Sequence, residues 1–277
     1  MEAPRQPVTG PIDIALVCAL RCEGRPLLDK LSLSPVPGEP GLHWNGTVAM
    51  AIAGVGVDCA ARAVHQLSTL ADSATCWLNL GCAGGVGELG ELVVAHRVSS
   101  ENGDSWYPQF PFAVEQATGE VRTVARPETR YSEPVLYDME AAGFYAQALA
   151  AASLERVHVL KVRVDGPGRA IENLSAAVIE QSIASHTPAL VSWLERLAEV
   201  AIAVRGRRPP RAGVDSFLYR WHFTVSQGIQ LTRVLERLNA MQVEVPDAAE
   251  LGVGSAQGVL RILNQRLRED GAWEGVG

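Results

Sequence analysis

The chain is short of the features that mark a metalloprotein, a disulfide scaffold or a membrane protein. Its five cysteines are odd in number and most sit inside apolar runs, as reduced, buried thiols do in a cytoplasm. Cys18 and Cys22 lack the second pair that a zinc site needs, and the six histidines show no ligand spacing. No metal is expected. No apolar run approaches the length that spans a bilayer. Residues 1–11 are polar and Pro-rich, without the charged start and apolar core of a signal peptide, so a cytoplasmic location is expected. Basic surface is scarce as well. A net charge of −7 argues against broad contact with nucleic acid or an anionic membrane, because phosphates attract basic surfaces.

What is present is an ordinary globular balance, 47% hydrophobic and 20% charged, over 277 residues. That length suits one large α/β domain with a small appendage, and a core of this size needs no staples. The stretch Leu136–Tyr145 places two carboxylates, Asp138 and Glu140, at the mouth of an Ala-rich helix expected to reach about Ala152. Acidic groups there are stabilised by the helix dipole, and an ionised carboxylate can accept both hydroxyls of a vicinal diol such as a ribose. Read alone, the same stretch is also a plain acidic helix start.

Other segments bring further polar groups to strand ends. Ile12–Leu20 reads as a buried strand running into a helix start at Arg21–Leu28, with Pro26 suited to the first turn. Glu23 thus falls at the C-terminal end of a core strand, where open α/β sheets hold ligands; a solvated loop charge is the alternative. Trp44–Ala53 reads as a strand, followed by a Gly54-x-Gly56 turn and a helix to about Leu70. No third glycine follows at the dinucleotide spacing. After the strand Cys76–Leu80 come four glycines in seven residues, Gly81 to Gly87, with Cys82 and Ala83 among them. That run reads as a bare-backbone cradle after the strand, able to hold a sugar, an anion or a water by main-chain N–H groups. A strand over Gly90–Val98 and a hairpin-like piece over Gly119–Val124 follow. His158–Val164 is a further buried strand, delivering Asp165 at its tip before a Gly166-Pro167-Gly168 turn.

Asn173–Leu197 reads as one long amphipathic helix, and the basic, Pro-containing Val204–Arg211 as a linker. Beyond it lie two helical patterns, about Ser216–Met241 and Asp247–Asp270, expected to pack on the main domain, on each other or on a partner protein. The chain thus divides into a catalytic-type domain over 1–204 and a helical extension over 205–277.

Glu23 after its strand, Asn79-x-Gly81-x-Ala83-Gly84-Gly85, Asp138-Met139-Glu140 and Asp165 after its strand occur in the order seen in one superfamily. Over about residues 11–200 the chain resembles the purine nucleoside phosphorylases and nucleosidases, most closely the methylthioadenosine/S-adenosylhomocysteine nucleosidase branch. The resemblance implies a three-layer αβα fold around a mixed, partly barrel-like sheet, usually as a homodimer. It implies hydrolysis of the N-glycosidic bond of an adenine nucleoside without a cofactor. Residue by residue, Asp165 would protonate the purine, its pKa raised by burial. Glu140 would hold the ribose hydroxyls with Asp138 beside it, and Met139 would pack beneath the sugar. Glu23 would position the attacking water with Lys161 as its partner, over a floor that includes Cys82, Ala83 and Gly84.

The sequence departs from the family pattern in three places. Cys82 stands where a serine is usual, and Val164 replaces a hydroxyl residue that would hydrogen-bond Asp165. The short segment between Trp106 and Tyr137 lacks the usual aromatic that stacks on the base, leaving Phe110, Phe112 and Tyr131 as substitutes. The 5′ substituent stays open among methylthioadenosine, S-adenosylhomocysteine, 5′-deoxyadenosine and a bulkier adenosyl lipid. Phosphorolysis is the alternative chemistry, with inorganic phosphate held by Arg21, Arg25 or Arg62. Against it, Asn79 occupies the place of a phosphate-binding arginine and Glu23 would repel phosphate. A silent nucleoside-binding or partner-docking module is the alternative of another class.

Overall fold

The structure, a computed structural model, describes residues 11–169, 174–206, 211–241 and 243–269. These fall into two compact units, one ending at Ile202 and the other starting at Ala203. The chain opens with β1 (Ile12–Cys18), α1 (Arg21–Lys30), β2 (Ser34–Pro35), β3 (Leu42–Trp44), β4 (Val48–Ile52) and α2 (Val57–Ser68). It continues through β5 (Ala71–Gly85), β6 (Leu92–Ser100), β7 (Ser105–Trp106), β8 (Ala117–Thr123), β9 (Leu136–Asp138) and α3 (Ala141–Ala148). A 3₁₀ turn at Leu154–Arg156 leads into β10 (Val157–Asp165), α4 (Ala176–Ala184) and α5 (Thr187–Gly206). Then come α6 (Arg211–Arg220), α7 (Val225–Ala240) and α8 (Ala256–Glu269). No helix among the described residues is long and apolar enough to cross a membrane.

The strands form one mixed sheet in the order β10-β6-β8-β9-β5-β1-β4-β3-β2, with β7 on β6. Strand β5 is its axis, parallel to both β1 and β10 and antiparallel to β9 at its far end. Because β10 pairs with both β6 and β5, the strands β5, β9, β8, β6 and β10 close into a ring, and the remainder extends as an open wing.

Strand alternation sorts the core into two layers. Ala15, Val17, Trp77, Val157 and Val159 face one side and pack with Ala60, Val64 and Leu67 of α2 and Phe144, Tyr145 and Ala148 of α3. Leu16, Cys18, Leu78, Leu80, Leu160 and Val162 face the other, against Leu27 of α1, Ile183 of α4 and Leu190, Trp193 and Leu197 of α5. Helices on both faces of a mixed sheet make the expected three-layer αβα architecture. Burying each such aliphatic side chain contributes roughly 1.5–3 kcal/mol, so these layers fix where the strand tips end.

Several expectations are corrected. The glycine run Gly81–Gly85 is strand, not a loop after one: β5 continues through it, pairing with β10 and β9. Gly119–Val124 is no hairpin, since β8 pairs in parallel with β6 and β9. Pro26 lies inside α1, beyond its first turn. The expected single helix over Asn173–Leu197 is two, α4 and α5, and Asn173 itself lies outside the described residues. Of the basic stretch, residues up to Gly206 belong to α5, Arg211 opens α6, and 207–210 lie outside the described residues. The first of the two C-terminal patterns divides into α6 and α7 around the Thr224 cap of α7, and the second begins only at Ala256. These helices have a core of their own, with Phe217, Trp221, Leu231, Leu235, Val259 and Leu263 buried together.

One irregularity bears on the site. Lys161 pairs with Gly81 and Arg163 with Ala83, but Asp165 pairs with Gly84. Val164 is therefore an extra residue in β10, a bulge that sits immediately before the terminal carboxylate.

Candidate active site

The C-terminal ends of the parallel strands β1, β5 and β10 meet at a cavity of about 260 Å³, a little under the roughly 300–1,000 Å³ usual for small-molecule sites. Its described lining draws on the β1–α1 junction (Ala19, Leu20, Glu23), the end of β5 (Cys82, Ala83, Gly84) and β9–α3 (Tyr137, Asp138, Met139, Glu140). The segment after β8 (Val124, Pro127, Glu128, Tyr131), Val55, and the β10–α4 region (Val164, Asp165, Leu174, Ile179) complete it. This is the switch-point position at which open α/β sheets hold ligands.

Glu23 is held by backbone alone. Its Oε2 accepts from the Leu20 amide at 2.8 Å, closing the first turn of α1, and its Oε1 accepts from the Cys82 amide at 2.8 Å. Burial pushes its pKa up from the ordinary carboxylate value, while nearby Lys161 and the two amides pull it back and Glu140 adds to the rise. The helix start thus serves the sheet. The residue that caps α1 also ties it to β5.

Lys161 is fully buried and gathers three carboxylates. Its Nζ pairs with Asp138 Oδ2 at 2.8 Å. Burial lowers its pKa, but Asp138, Glu140 and Glu23 together more than offset that and hold the ammonium protonated. The direct ion-pair partner of Lys161 is therefore Asp138; the expected partnership with Glu23 is a through-space one. Asp138 is otherwise committed to the fold. Its Oδ1 accepts from Thr123 Oγ1 at 2.7 Å, and its Oδ2 accepts from the Ala141 amide at 2.8 Å, capping α3. Thr123 in turn accepts from the Ala142 amide at 2.8 Å. Asp138 therefore acts as a bracket between β8, β10 and α3.

Glu140 stands at the N-cap of α3 and lines the cavity. Its Oε1 accepts from the Gly56 amide at 2.9 Å, which gives the glycine turn before α2 a role. Burial raises its pKa, Asp138 adds to the rise, and Lys161 with the Gly56 and Met139 amides opposes it. Met139 lines the cavity beside it.

Asp165 is buried at the tip of β10, where it accepts a hydrogen bond from the phenol of Tyr131. Two glycines make room for these carboxylates. A Cβ on Gly84 would lie 2.6 Å from Asp165 Oδ2, and one on Gly81 would lie 2.9 Å from Glu23 Oε1. No side chain larger than hydrogen fits at Gly84 unless Asp165 shifts.

The other expected site residues are placed as follows. Cys82 and Ala83 line the cavity, and burial together with the charge of Glu23 holds the Cys82 thiol well above its usual pKa, so it stays protonated. Tyr131 lines the cavity, whereas Phe110 and Phe112 pack on His158 and Trp193 and take no part in its lining. Arg21, Arg25 and Arg62 are also outside the lining; Arg25 pairs with Asp29 and Glu180, and Arg62 donates to Cys59. Asn79 is buried in mid-strand, where its Nδ2 donates to the Val17 carbonyl at 3.1 Å. Among the described residues, the lining contains Glu23, Glu128, Asp138, Glu140 and Asp165 but no arginine or lysine. No cluster of three or more His, Cys, Asp or Glu among the described residues is arranged to hold a metal ion.

Sequence reasoning missed Thr123, Tyr137, Leu20, Val55, Leu174 and Ile179. Thr123 carries no readable signal, because its strand looks like a hairpin in the sequence. The apolar members sit in segments whose composition reads simply as core or turn.

The sequence matches no protein-family model and no curated protein. Solved structures do resemble it. A 5′-methylthioadenosine/S-adenosylhomocysteine nucleosidase from Helicobacter pylori aligns with a TM-score of 0.54 at 14% identity, over 68% of this chain and 100% of that one. The Streptococcus pneumoniae enzyme with the transition-state inhibitor MT-ImmA gives 0.52 at 17%, over 65% and 97%. A Chlamydia trachomatis MTAN bound to MTA gives 0.51 at 18%, over 66% and 99%. Over about two-thirds of its length, the chain has the fold of the 5′-methylthioadenosine/S-adenosylhomocysteine nucleosidases.

Proposed function

We propose that the protein hydrolyses the N-glycosidic bond of an adenine nucleoside of the methylthioadenosine, S-adenosylhomocysteine or 5′-deoxyadenosine type, releasing adenine. The observation that carries this reading is the convergence of Glu23, Glu140 and Asp165, from three distant parts of the chain, on one cavity. In the reaction Asp165 gives its proton to a purine ring nitrogen, and the electrons of the breaking C–N bond leave with the base. The sugar left behind has oxocarbenium character, which the surrounding carboxylates stabilise. Glu140 holds the ribose diol over Met139. Glu23 accepts the proton of a water whose oxygen attacks the anomeric carbon, and its raised pKa brings it nearer the range that suits a general base. Lys161 opposes the rise that burial imposes on the Glu23 and Glu140 pKa.

The acidic lining supports hydrolysis over phosphorolysis. A phosphate nucleophile would enter a cavity whose described walls hold five carboxylates and no arginine or lysine. The neighbours' own substrates and inhibitors agree in kind: MTA in one and MT-ImmA in another. A cytoplasmic homodimer without a cofactor fits this reading, with residues 1–204 as its catalytic part and 205–277 as an appendage able to meet a partner.

The test is adenine release from methylthioadenosine with and without phosphate. Free 5-methylthioribose supports hydrolysis, the sugar phosphate supports phosphorolysis, and tight binding without product supports a silent binding module. Asp165→Asn should lower kcat roughly 10²–10⁴-fold, the range of a lost general acid, while changing nucleoside affinity little, because the shape is kept. Ordinary turnover in this variant would overturn the assignment of Asp165.

A further inference from the structure

The loop Val124–Val135 contributes a group that sequence reading offered only as a possible stacking ring. Tyr131 turns its hydroxyl, and not merely its face, to the site: the phenol donates to Oδ2 of Asp165. Two independent features fix it there. Its backbone lies in the left-handed region, φ 47°, uncommon for an aromatic residue and kept only where the surroundings over-determine it. Its ring is buried among Val124, Val135 and Tyr137, with the Tyr137 ring centroid 6.2 Å away. At the same time Val164, the bulge residue beside Asp165, has no hydroxyl to offer and packs into the α4/α5 layer.

We propose that Tyr131 is the positioning residue of Asp165, supplying from a loop the hydrogen bond that Val164 cannot supply from the strand. This rests on Asp165 being the proton donor to the base. The chemistry favours a phenol in this place. While Asp165 is protonated, the phenol contributes an ordinary neutral hydrogen bond that restrains rotation of the carboxyl. As the proton passes to the purine nitrogen, Asp165 becomes a carboxylate and the same bond becomes charge-assisted. The phenol keeps its own proton throughout. Its interaction therefore strengthens along the reaction, which is the property that speeds a step rather than merely binding substrate. The phenol hydrogen bond favours the ionised form of the carboxyl it donates to.

The experiment is Tyr131→Phe, which keeps the ring and its packing and deletes only the hydroxyl. Methylthioadenosine and 5′-deoxyadenosine serve as probes, with Asp165→Asn measured in parallel. The expected result is a kcat lowered roughly ten- to hundredfold, the size of one hydrogen bond to a charged group, with KM changed less than about threefold. The decisive readout is the pH profile of kcat. Activity requires Asp165 protonated and falls as pH rises through its pKa in the complex; losing a donor to the carboxylate raises that pKa, so the alkaline limb should move to higher pH. If Asp165→Asn is inactive while Tyr131→Phe keeps both kcat and the alkaline limb of the wild type, the inference fails and the acid assignment stands. If Asp165→Asn remains active, the underlying reading fails, whatever Tyr131→Phe does.

Discussion

The two walls of the cavity are built on different principles. On one side Glu23, Asp138 and Glu140 surround a buried lysine and take backbone amides from Leu20, Cys82, Ala141 and Gly56. Their positions follow from helix starts and strand tips, so each group is fixed by the architecture itself. On the other side Asp165 takes a hydrogen bond from a side chain carried by an irregular loop. The first wall supports its carboxylates with a buried cation and backbone amides. On the proposed reading, the second meets a charge that comes and goes. On the same reading, burial raises the Glu23 carboxylate toward the range of a base while the cation and amides hold it in place, and Asp165 meets a neutral donor as it gives up its proton.

The comparison breaks most visibly at Lys161. Replacing it by methionine strands three buried carboxylates, and removing one partner of a buried pair costs about 3–5 kcal/mol. Because the folded pKa of Lys161 is raised, its contribution is complete below the unfolded value of about 10.4 and is lost only as pH rises through the folded one. The deficit of Lys161→Met in denaturant unfolding should therefore be full at neutral pH. An unchanged midpoint would mean that the first wall is not organised by its cation.

Gly84→Ala probes the second wall more gently. The new methyl would stand 2.6 Å from Asp165 Oδ2, so Asp165 or the strand must move. The expected cost is about 1–3 kcal/mol of stability, as for other overpacked sites, and turnover should fall by more than the stability loss explains. Thermal unfolding beside steady-state kinetics measures both. Wild-type kinetics in this variant would show that the position of Asp165 is not critical.

The smallest effect is a matter of pH alone. On the proposed reading Glu23 must be ionised to take a proton from water, and burial raises its pKa. The acidic limb of kcat/KM should therefore lie above the ordinary carboxylate range, with activity falling as pH drops through it. Relief of the opposing Lys161 charge should move that limb higher still. A limb at the value of a free carboxylate would remove Glu23 from the role.

Legibility in the sequence follows the same division. Glu23, Asp138, Glu140 and Asp165 could be placed because each borders a strand or helix whose apolar pattern announces it. The three-layer fold was legible for the same reason, since alternation along β1, β5 and β10 feeds both layers. The glycines misled. Gly81 and Gly84 read as a loop because glycine is poor in strands, yet they are strand positions emptied so that two carboxylates can come close. Thr123 and the hydroxyl of Tyr131 could not be found in this way, since their partners lie 15 and 34 residues away in sequence and no periodicity connects them.

The bulge in β10 makes spacing more demanding than identity at the strand tip. Val164 and Asp165 together stand opposite the single residue Gly84, so deleting Val164 would remove the bulge, restore unbroken pairing with β5 and draw the terminal carboxylate back toward Arg163. Substitutions there can adjust the reaction. A change in the number of residues between Lys161 and Asp165 would shift the tip along β5 and should lower turnover.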